Sequence, residues 1–214
     1  MGDDDADQSA LRFPLLVTTE ALRLCIRPVT PADREEIRKG LQSISPESTY
    51  QRFFVSAFSP IDRELQYLTV VDGVNHVSLG AIYCTQHPPK GTGVARYVRL
   101  PDEPTVAEAA IVVLDAYQGR GIGSLLMAAL SKRAADCSLE HFRAYVLVQN
   151  RPIVERLRAL GASESPAQDG VLQFDIPVYT CGDDLPERSG LERMRWAWHA
   201  VATATTGNCE TIEE

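Results

Sequence analysis

Residues 110–130 read AIVVLDAYQGRGIGSLLMAAL. An apolar run from Ala110 to Leu114 meets a turn in which Gly119, Gly121 and Gly123 alternate. Ile122, Leu125, Leu126, Ala129 and Leu130 then follow the i, i+3, i+4, i+7, i+8 spacing of an amphipathic helix. A strand that is apolar at nearly every position is one buried on both faces, and so is central in its sheet. A helix start leaves backbone N–H groups unpaired and carries the positive end of the helix dipole. Glycines let those groups curl around a phosphate with no Cβ in the way, and Arg120 adds a cation. The stretch therefore predicts strand, anion-binding turn and helix, with a pyrophosphate as a natural ligand.

Two nucleotide-binding patterns are excluded by position. A P-loop needs Lys and then Ser or Thr after its last glycine, whereas Gly123 is followed by Ser124 and Leu125. A Rossmann loop needs GxGxxG. Counting from Gly121 the third position is Leu126, and counting from Gly119 it is Ser124.

Outward from this stretch the pattern alternates between the two periods. Leu22, Leu24 and Ile26 alternate with Arg23, Cys25 and Arg27, a first strand ended by Pro28 and Pro31. Thr30-Pro31-Ala32-Asp33 opens a helix with Ile37 and Leu41 on its apolar side. Ser45-Pro46-Glu47-Ser48 starts a second helix and Ser59-Pro60 a third, in which Leu65, Leu68 and Val71 repeat. Residues 76–83 and 93–98 predict strands joined by a turn over 88–93, and Thr105 to Leu114 is a third. Downstream come a strand from Phe142 to Val148, a helix from Asn150 to Leu160 closed by Gly161, and a strand from Val171 to Val178. This is a mixed α/β chain with one sheet and helices on its faces. Leu191, Met194, Trp198 and Val201 share one helical face, which reads as a helix packed on the domain, with a dimer contact or a substrate lid as alternatives. Beyond Thr203 the chain is small, polar and acidic and reads as disordered. The expected division is a flexible acidic tail over 1–18, one domain over 19–180 and a C-terminal extension over 181–214.

Composition narrows the functional classes. With 44% hydrophobic and 23% charged residues the 214-residue chain is ordinarily globular and long enough for a core without staples. Its five cysteines are scattered and odd in number with no CxxC pair, which argues against a disulfide framework or a zinc site and for a reducing compartment. The four histidines lack metal-ligand spacing. A net charge of −8 works against nucleic-acid binding. The N-terminus lacks the basic and apolar regions of a signal peptide, and no apolar run approaches the ~20 residues that span a bilayer. A cytoplasmic protein with no membrane partner is the expectation.

Gln118, Gly121 and Gly123 meet the pattern Q/R-x-x-G-x-G/A, set mid-chain between a buried strand and a long helix. In this the chain resembles the GNAT superfamily of N-acetyltransferases, over about Leu22 to Val178. The resemblance implies a GNAT fold: one mixed, mostly antiparallel sheet of about six to seven strands flanked by about four helices, here with a C-terminal helical extension. It implies acetyl-CoA as co-substrate, its pyrophosphate held by Gln118, Gly119, Arg120, Gly121, Ile122, Gly123 and Ser124. In the family the strand before the loop splays from its neighbour at a β-bulge, and its free backbone takes the pantetheine arm. The matching positions are Ile111, Val112 and Val113. Asn150 stands where the family has a cofactor-contacting Asn, and it is equally a good helix N-cap. The position of the family's Tyr acid, seven residues on, is Leu157, which leaves the proton donor to the thiolate unassigned.

The candidate base is Glu108, in Thr105-Val106-Ala107-Glu108-Ala109-Ala110. A lysine amine, pKa ~10.4, must lose a proton before it can attack a thioester. A glutamate beside apolar walls can take that proton directly or through water; the competing reading is a strand-end charge in solvent. Ser45-Pro46-Glu47-Ser48-Thr49-Tyr50-Gln51-Arg52-Phe53-Phe54, the 71–77 stretch and Ala107-Glu108 followed by QGRGIG are similar to the bacterial Pat-like protein lysine acetyltransferases. That branch implies Glu108 as base and a protein lysine as acceptor. Some of its members carry a fused nucleotide-sensing or CoA-ligase-like domain, for which these residues leave no room. Tyr50, Phe53 and Phe54 also fit a plain aromatic core face. Arg52 fits either an acidic helix partner or a CoA phosphate, and His76 reads as a strand-end histidine or a proton shuttle. The alternatives are a small amine or antibiotic as acceptor, or a catalytically weak acyl-CoA-sensing module; a homodimer through the C-terminal helix is one further reading of that helix.

Overall fold

Short runs that alternate in polarity pair edge to edge into a single sheet of nine strands in the order β7-β8-β6-β5-β4-β3-β2-β1-β9. The strands are β1 (Leu15–Thr18), β2 (Arg23–Pro28), β3 (His76–Tyr83), β4 (Lys90–Leu100), β5 (Glu103–Val113), β6 (His141–Leu147), β7 (Ser163–Pro166), β8 (Val171–Pro177) and β9 (Thr205–Thr206). Six α-helices accompany them: α1 (Arg34–Ser43), α2 (Pro46–Phe53), α3 (Asp62–Thr69), α4 (Ile122–Asp136), α5 (Arg151–Ala159) and α6 (Glu192–Ala202). This computed structural model describes residues 12–18, 23–53, 60–85, 87–166 and 168–207, with the backbone alone at 52 and 53. The readings at Leu22, Arg52, Phe53, Phe54 and Ser59, and most of the two terminal tails, lie outside the described residues.

Neighbouring strands are antiparallel except β5 and β6, so the sheet is mixed and mostly antiparallel as expected. Nine strands exceed the expected six to seven. The surplus lies in short pieces without a readable period. Within the expected tail Leu15–Thr18 pairs with β2, and within the expected disordered end Thr205–Thr206 pairs with β1. Ser163–Pro166 is exposed throughout and pairs only with β8. The turn expected over 88–93 is shorter, because β4 begins at Lys90. Cys84 takes part in a disulfide, contrary to the expectation from cysteine count, while Cys137 and Cys181 are free thiols.

Side-chain alternation sends each strand's residues to two layers. On one face Val77, Leu79, Ala95, Tyr97, Ala107, Phe142 and Phe174 form a core with residues of α4, α5 and α6. On the other, Ile37 and Leu41 of α1 and Leu68 of α3 lie over Val94, Arg96, Ala110 and Val112. The sequence reads α4 as amphipathic, yet it is buried at Ile122, continuously from Ser124 to Ser131 and again at Ala134. The reason is α6, whose Met194, Trp198 and Val201 join the core on that side and cover what periodicity assigns to solvent.

Candidate functional site

Strand β5 holds the geometry that matters. It pairs with β6 only at Val106, Ala107 and Glu108, opposite His141, Phe142 and Arg143. Beyond Glu108 the two strands part, while β5 stays paired with β4 up to Val113. The expected splay is present, and its apex is Glu108. The expected bulge is not at Ile111–Val113, because the register shift between β4 and β5 falls at Arg99/Leu100.

Backbone direction alternates along a strand, which decides which groups face the gap. Leu114 N–H donates to Thr92 O across on β4, and Thr105 O accepts from Glu140 N on the β6 side. The odd-numbered residues therefore turn their N–H and C=O toward β6, so Ala109, Ile111 and Val113 face the gap. Val112, also expected among the pantetheine contacts, turns its backbone to β4 instead, away from the gap. Its side chain points to the α1 layer.

The glycine turn lies at the wide end of this gap. Gly119 and Gly121 have φ of +74° and +88°, a region that side chains with a Cβ avoid. Gly121 caps α4, and the first intrahelical bond, Leu125 N to Gly121 O, leaves the N–H groups of Ile122, Gly123 and Ser124 without a helical partner. The side chains of Ile122 and Ser124 are buried, so these two residues present only backbone to the turn. Arg120 is exposed, its guanidinium carbon 5.5 Å from the Tyr117 ring centre. Gln118 is committed to the protein: its Nε2 donates to Val113 O and to Asp115 Oδ1, at 3.1 and 2.9 Å. Such a turn, with orphan N–H groups, a helix start and a cation, fits a pyrophosphate.

Four residues, Asp115, Ser45, Ser48 and Arg193, brace this turn in a way the sequence does not announce. Asp115 accepts from Ser45 N and Ser48 Oγ, both at 2.6 Å, and so ties the start of α2 to the turn. Burial works to raise the Asp115 pKa, but the Ser48 and Ser45 bonds outweigh it and hold it below the usual carboxylate value. Ser45 and Ser48 belong to a stretch the sequence singles out. Arg193 of α6 donates from Nη1 to Gly119 O at 2.6 Å, 74 residues away in the chain, and no local signal announces it.

Glu108 is exposed, not walled in as expected. It faces the same side as Ala110 and Val112. Its neighbour Arg143 is taken up by Glu103 and Asp175, with 2.8 Å from its Nε to Asp175 Oδ1. Asn150 sits at the N-cap of α5 but makes no side-chain cap bond. Leu157 is buried at 9% exposure within the core. His76 starts β3 in a turn fixed by Asp72, whose Oδ1 accepts from the N–H groups of Val74, Asn75 and His76. Burial first, and then the nearby Arg96, push the His76 pKa below its ordinary value, with Asp72 opposing. No group of metal-ligating side chains occurs among the described residues, and no described helix is long and apolar enough to cross a membrane.

This geometry has relatives. Residues 41–162 match the acetyltransferase (GNAT) family. The chain is 38% identical over 187 residues to Acetyltransferase Pat of Mycolicibacterium smegmatis, covering 85% of this chain and 54% of that protein. It therefore spans about half the length of the curated relative it matches. Among solved structures it is similar to the GNAT domain of S. lividans PAT, with TM-score 0.66 and 26% identity over 76% of this chain and 94% of that one. It is also similar to a cAMP-binding acyltransferase from Mycobacterium smegmatis, with TM-score 0.54 and 31% identity over 88% of this chain and 54% of that one.

Proposed function

Since the chain belongs to the acetyltransferase (GNAT) family, and is an acyltransferase on that ground, we propose that it moves an acetyl group from acetyl-CoA to a protein lysine by direct attack in a ternary complex, with Glu108 as general base. The observation that carries this reading is the parting of β5 from β6 at Glu108, with the glycine turn at the other end of the same gap.

In this reading the N–H groups of Ile122, Gly123 and Ser124, with Arg120, hold the pyrophosphate. The backbone of Ile111 and Val113 pairs with the pantetheine amides as a missing strand would. Asn150, whose side chain is not spent on a cap, meets the arm from the β6 side. The thioester then reaches the apex, where Ala109 N–H faces the gap and polarises its carbonyl. Glu108, exposed at the apex, takes the proton of the incoming ammonium through water, and the amine attacks the carbonyl carbon. The C–S bond breaks as the C–N bond forms. With Leu157 buried in place of a tyrosine, solvent protonates the departing thiolate, an undemanding task for a thiol of pKa ~8.5. Holding both reactants together supplies much of the rate. The likeness to a protein named Pat favours a protein lysine over a small amine.

Glu108→Gln is expected to lower turnover on a lysine peptide by about 10²-fold or more, with acetyl-CoA affinity by calorimetry unchanged. Equal turnover in both proteins removes Glu108 from the mechanism. A wild type that binds acetyl-CoA yet transfers to no peptide or amine supports the alternative of an acyl-CoA sensor, which buried Leu157 motivates.

A further inference from the structure

Five buried side-chain nitrogen or oxygen atoms among the described residues lack a hydrogen-bond partner, and three of them gather at one place: His76 Nε2, Ser78 Oγ and Arg96 Nη1. Ser78 and Arg96 are cross-strand partners on β3 and β4, and His76 is two residues from Ser78 on the same face. Tyr67 of α3 covers the group, its ring 4.7 Å from that of His76 and 5.2 Å from the Arg96 guanidinium carbon. Ser78 is 1% exposed, so its hydroxyl lies out of reach of bulk solvent. Leaving such atoms unpaired inside a protein is unfavourable. Three together are unusual in a structure whose other polar side chains are extensively bonded.

One member of the group, Arg96, borders a cavity of about 90 Å³ between α1 and the sheet. That is room for several waters, one of which needs about 10–15 Å³ on the same measure. Arg96 lines it together with Ala110, Val112 and Leu68, and its wall is otherwise largely apolar. Its one carboxylate, Glu36, accepts from Gly91 N at 3.1 Å. Across the strands, Ser78, Arg96 and Ala110 form one row, and His76, Val98 and Glu108 form the next. The cavity thus opens one row from the apex where the proposed reaction occurs, on the face that Glu108 shares.

A guanidinium beside a short apolar cavity, with a hydroxyl and an imidazole nitrogen on the neighbouring strand, suits a carboxylate: the arginine supplies charge and the others supply hydrogen bonds. We propose that His76, Ser78 and Arg96 form a carboxylate-binding subsite, so that the enzyme transfers short acyl groups ending in a carboxylate as well as acetyl. The inference rests on the reading of the gap as the acyl-donor site. The bonds made and broken are those of acetyl transfer: the amine nitrogen gains the acyl carbon, the thiolate leaves, the proton goes to Glu108, and the distal carboxylate is untouched. A carboxylate carried by the acceptor has the same chemistry, and the test separates the two sources.

Initial rates are measured with acetyl-, butyryl- and succinyl-CoA on a neutral lysine peptide, and with acetyl-CoA on peptides bearing Gln or Glu beside the lysine. Wild type, Arg96→Met, Arg96→Lys and Ser78→Ala are compared. The expected result is succinyl transfer at a kcat/KM above that for the similar-sized butyryl. Arg96→Met lowers the succinyl-to-butyryl ratio at least tenfold and Ser78→Ala lowers it less, while Arg96→Lys restores part of the loss. If the Arg96-dependent preference appears instead between the Glu and Gln peptides, the subsite stands and its carboxylate comes from the acceptor. A wild type that transfers acetyl and butyryl but discriminates on neither arm overturns the subsite, even should the Arg96 variants fail to fold. A wild type that transfers no acyl group overturns the reading of the gap on which the subsite depends.

Discussion

Gly121 carries two constraints at one Cα. Its φ of +88° belongs to glycine, and a Cβ added there would stand 3.4 Å from Trp196 Cζ3 and 3.8 Å from Arg193 Cδ. Gly123 is different, since its nearest contact would be an ordinary 3.7 Å from a Val113 methyl. The three alternating glycines look equivalent in sequence, and only the backbone angles separate them. Gly121→Ala is therefore expected to cost about 1–2 kcal/mol from the left-handed backbone alone and to weaken acetyl-CoA binding by displacing the orphan N–H groups. Gly123→Ala is expected to fold as the wild type does. Thermal melts and calorimetry on the pair check this, and equal melting temperatures contradict it. Glu108 teaches the reverse lesson. Its place in an apolar run suggests burial, but a strand has two faces, and at the apex of a splay the outward one is open.

At the scale of elements, what sequence reads well is what has a period. The three central strands, α4 and α5 all lie within a few residues of their expected positions, because their apolar spacing persists over whole turns or pleats. Strands β1, β7 and β9 are too short to show a period and exist through pairing with neighbours. The α6 helix is legible as amphipathic, while its role beside the glycine turn is not, since contacts between residues so far apart leave no local trace. Trp198 anchors it, 1% exposed, with its Nε1 donating to Tyr179 O at 2.8 Å. Trp198→Ala is expected to destabilise the fold by about 3–5 kcal/mol, measured by denaturant unfolding. A loss under about 1 kcal/mol is what surface substitutions give and contradicts the anchoring role. The splay itself is written nowhere in β5 or β6; it follows from the β6 strand turning to pair with β8 along its whole length while meeting β5 only at its start.

At the scale of the molecule, charge governs the response to acid. Asp33 lies beside Arg27, whose two hydrogen bonds of 2.6 and 2.8 Å hold its pKa at about 2, against an ordinary 3.8. Arg143 likewise lowers Glu103 and Asp175. A carboxyl that is more acidic when folded leaves the unfolded chain binding more protons between the two values, so folding loses support as pH falls through them. Melting temperature is expected to hold down to about pH 4 and to fall from there toward pH 2. Asp33→Asn is expected to melt lower than wild type at pH 6 and to lose less on acidification. An Asp33→Asn slope between pH 4 and pH 2 as steep as that of the wild type removes this pair from the explanation.

The pairing of β9 with β1 brings Gly207 N within 3.1 Å of Pro14 O, so the described chain begins and ends at one corner of the sheet. Tension applied at those two points acts across the strands. It loads the Gly207–Pro14 bond first, then the Leu15–Thr206 rung and then the Leu16–Thr205 rung, so the edge opens like a zipper and yields at low force. A pull through segments attached there would therefore peel β9 and then expose α6, and with it Arg193 and its hold on Gly119, before the central strands bear any load.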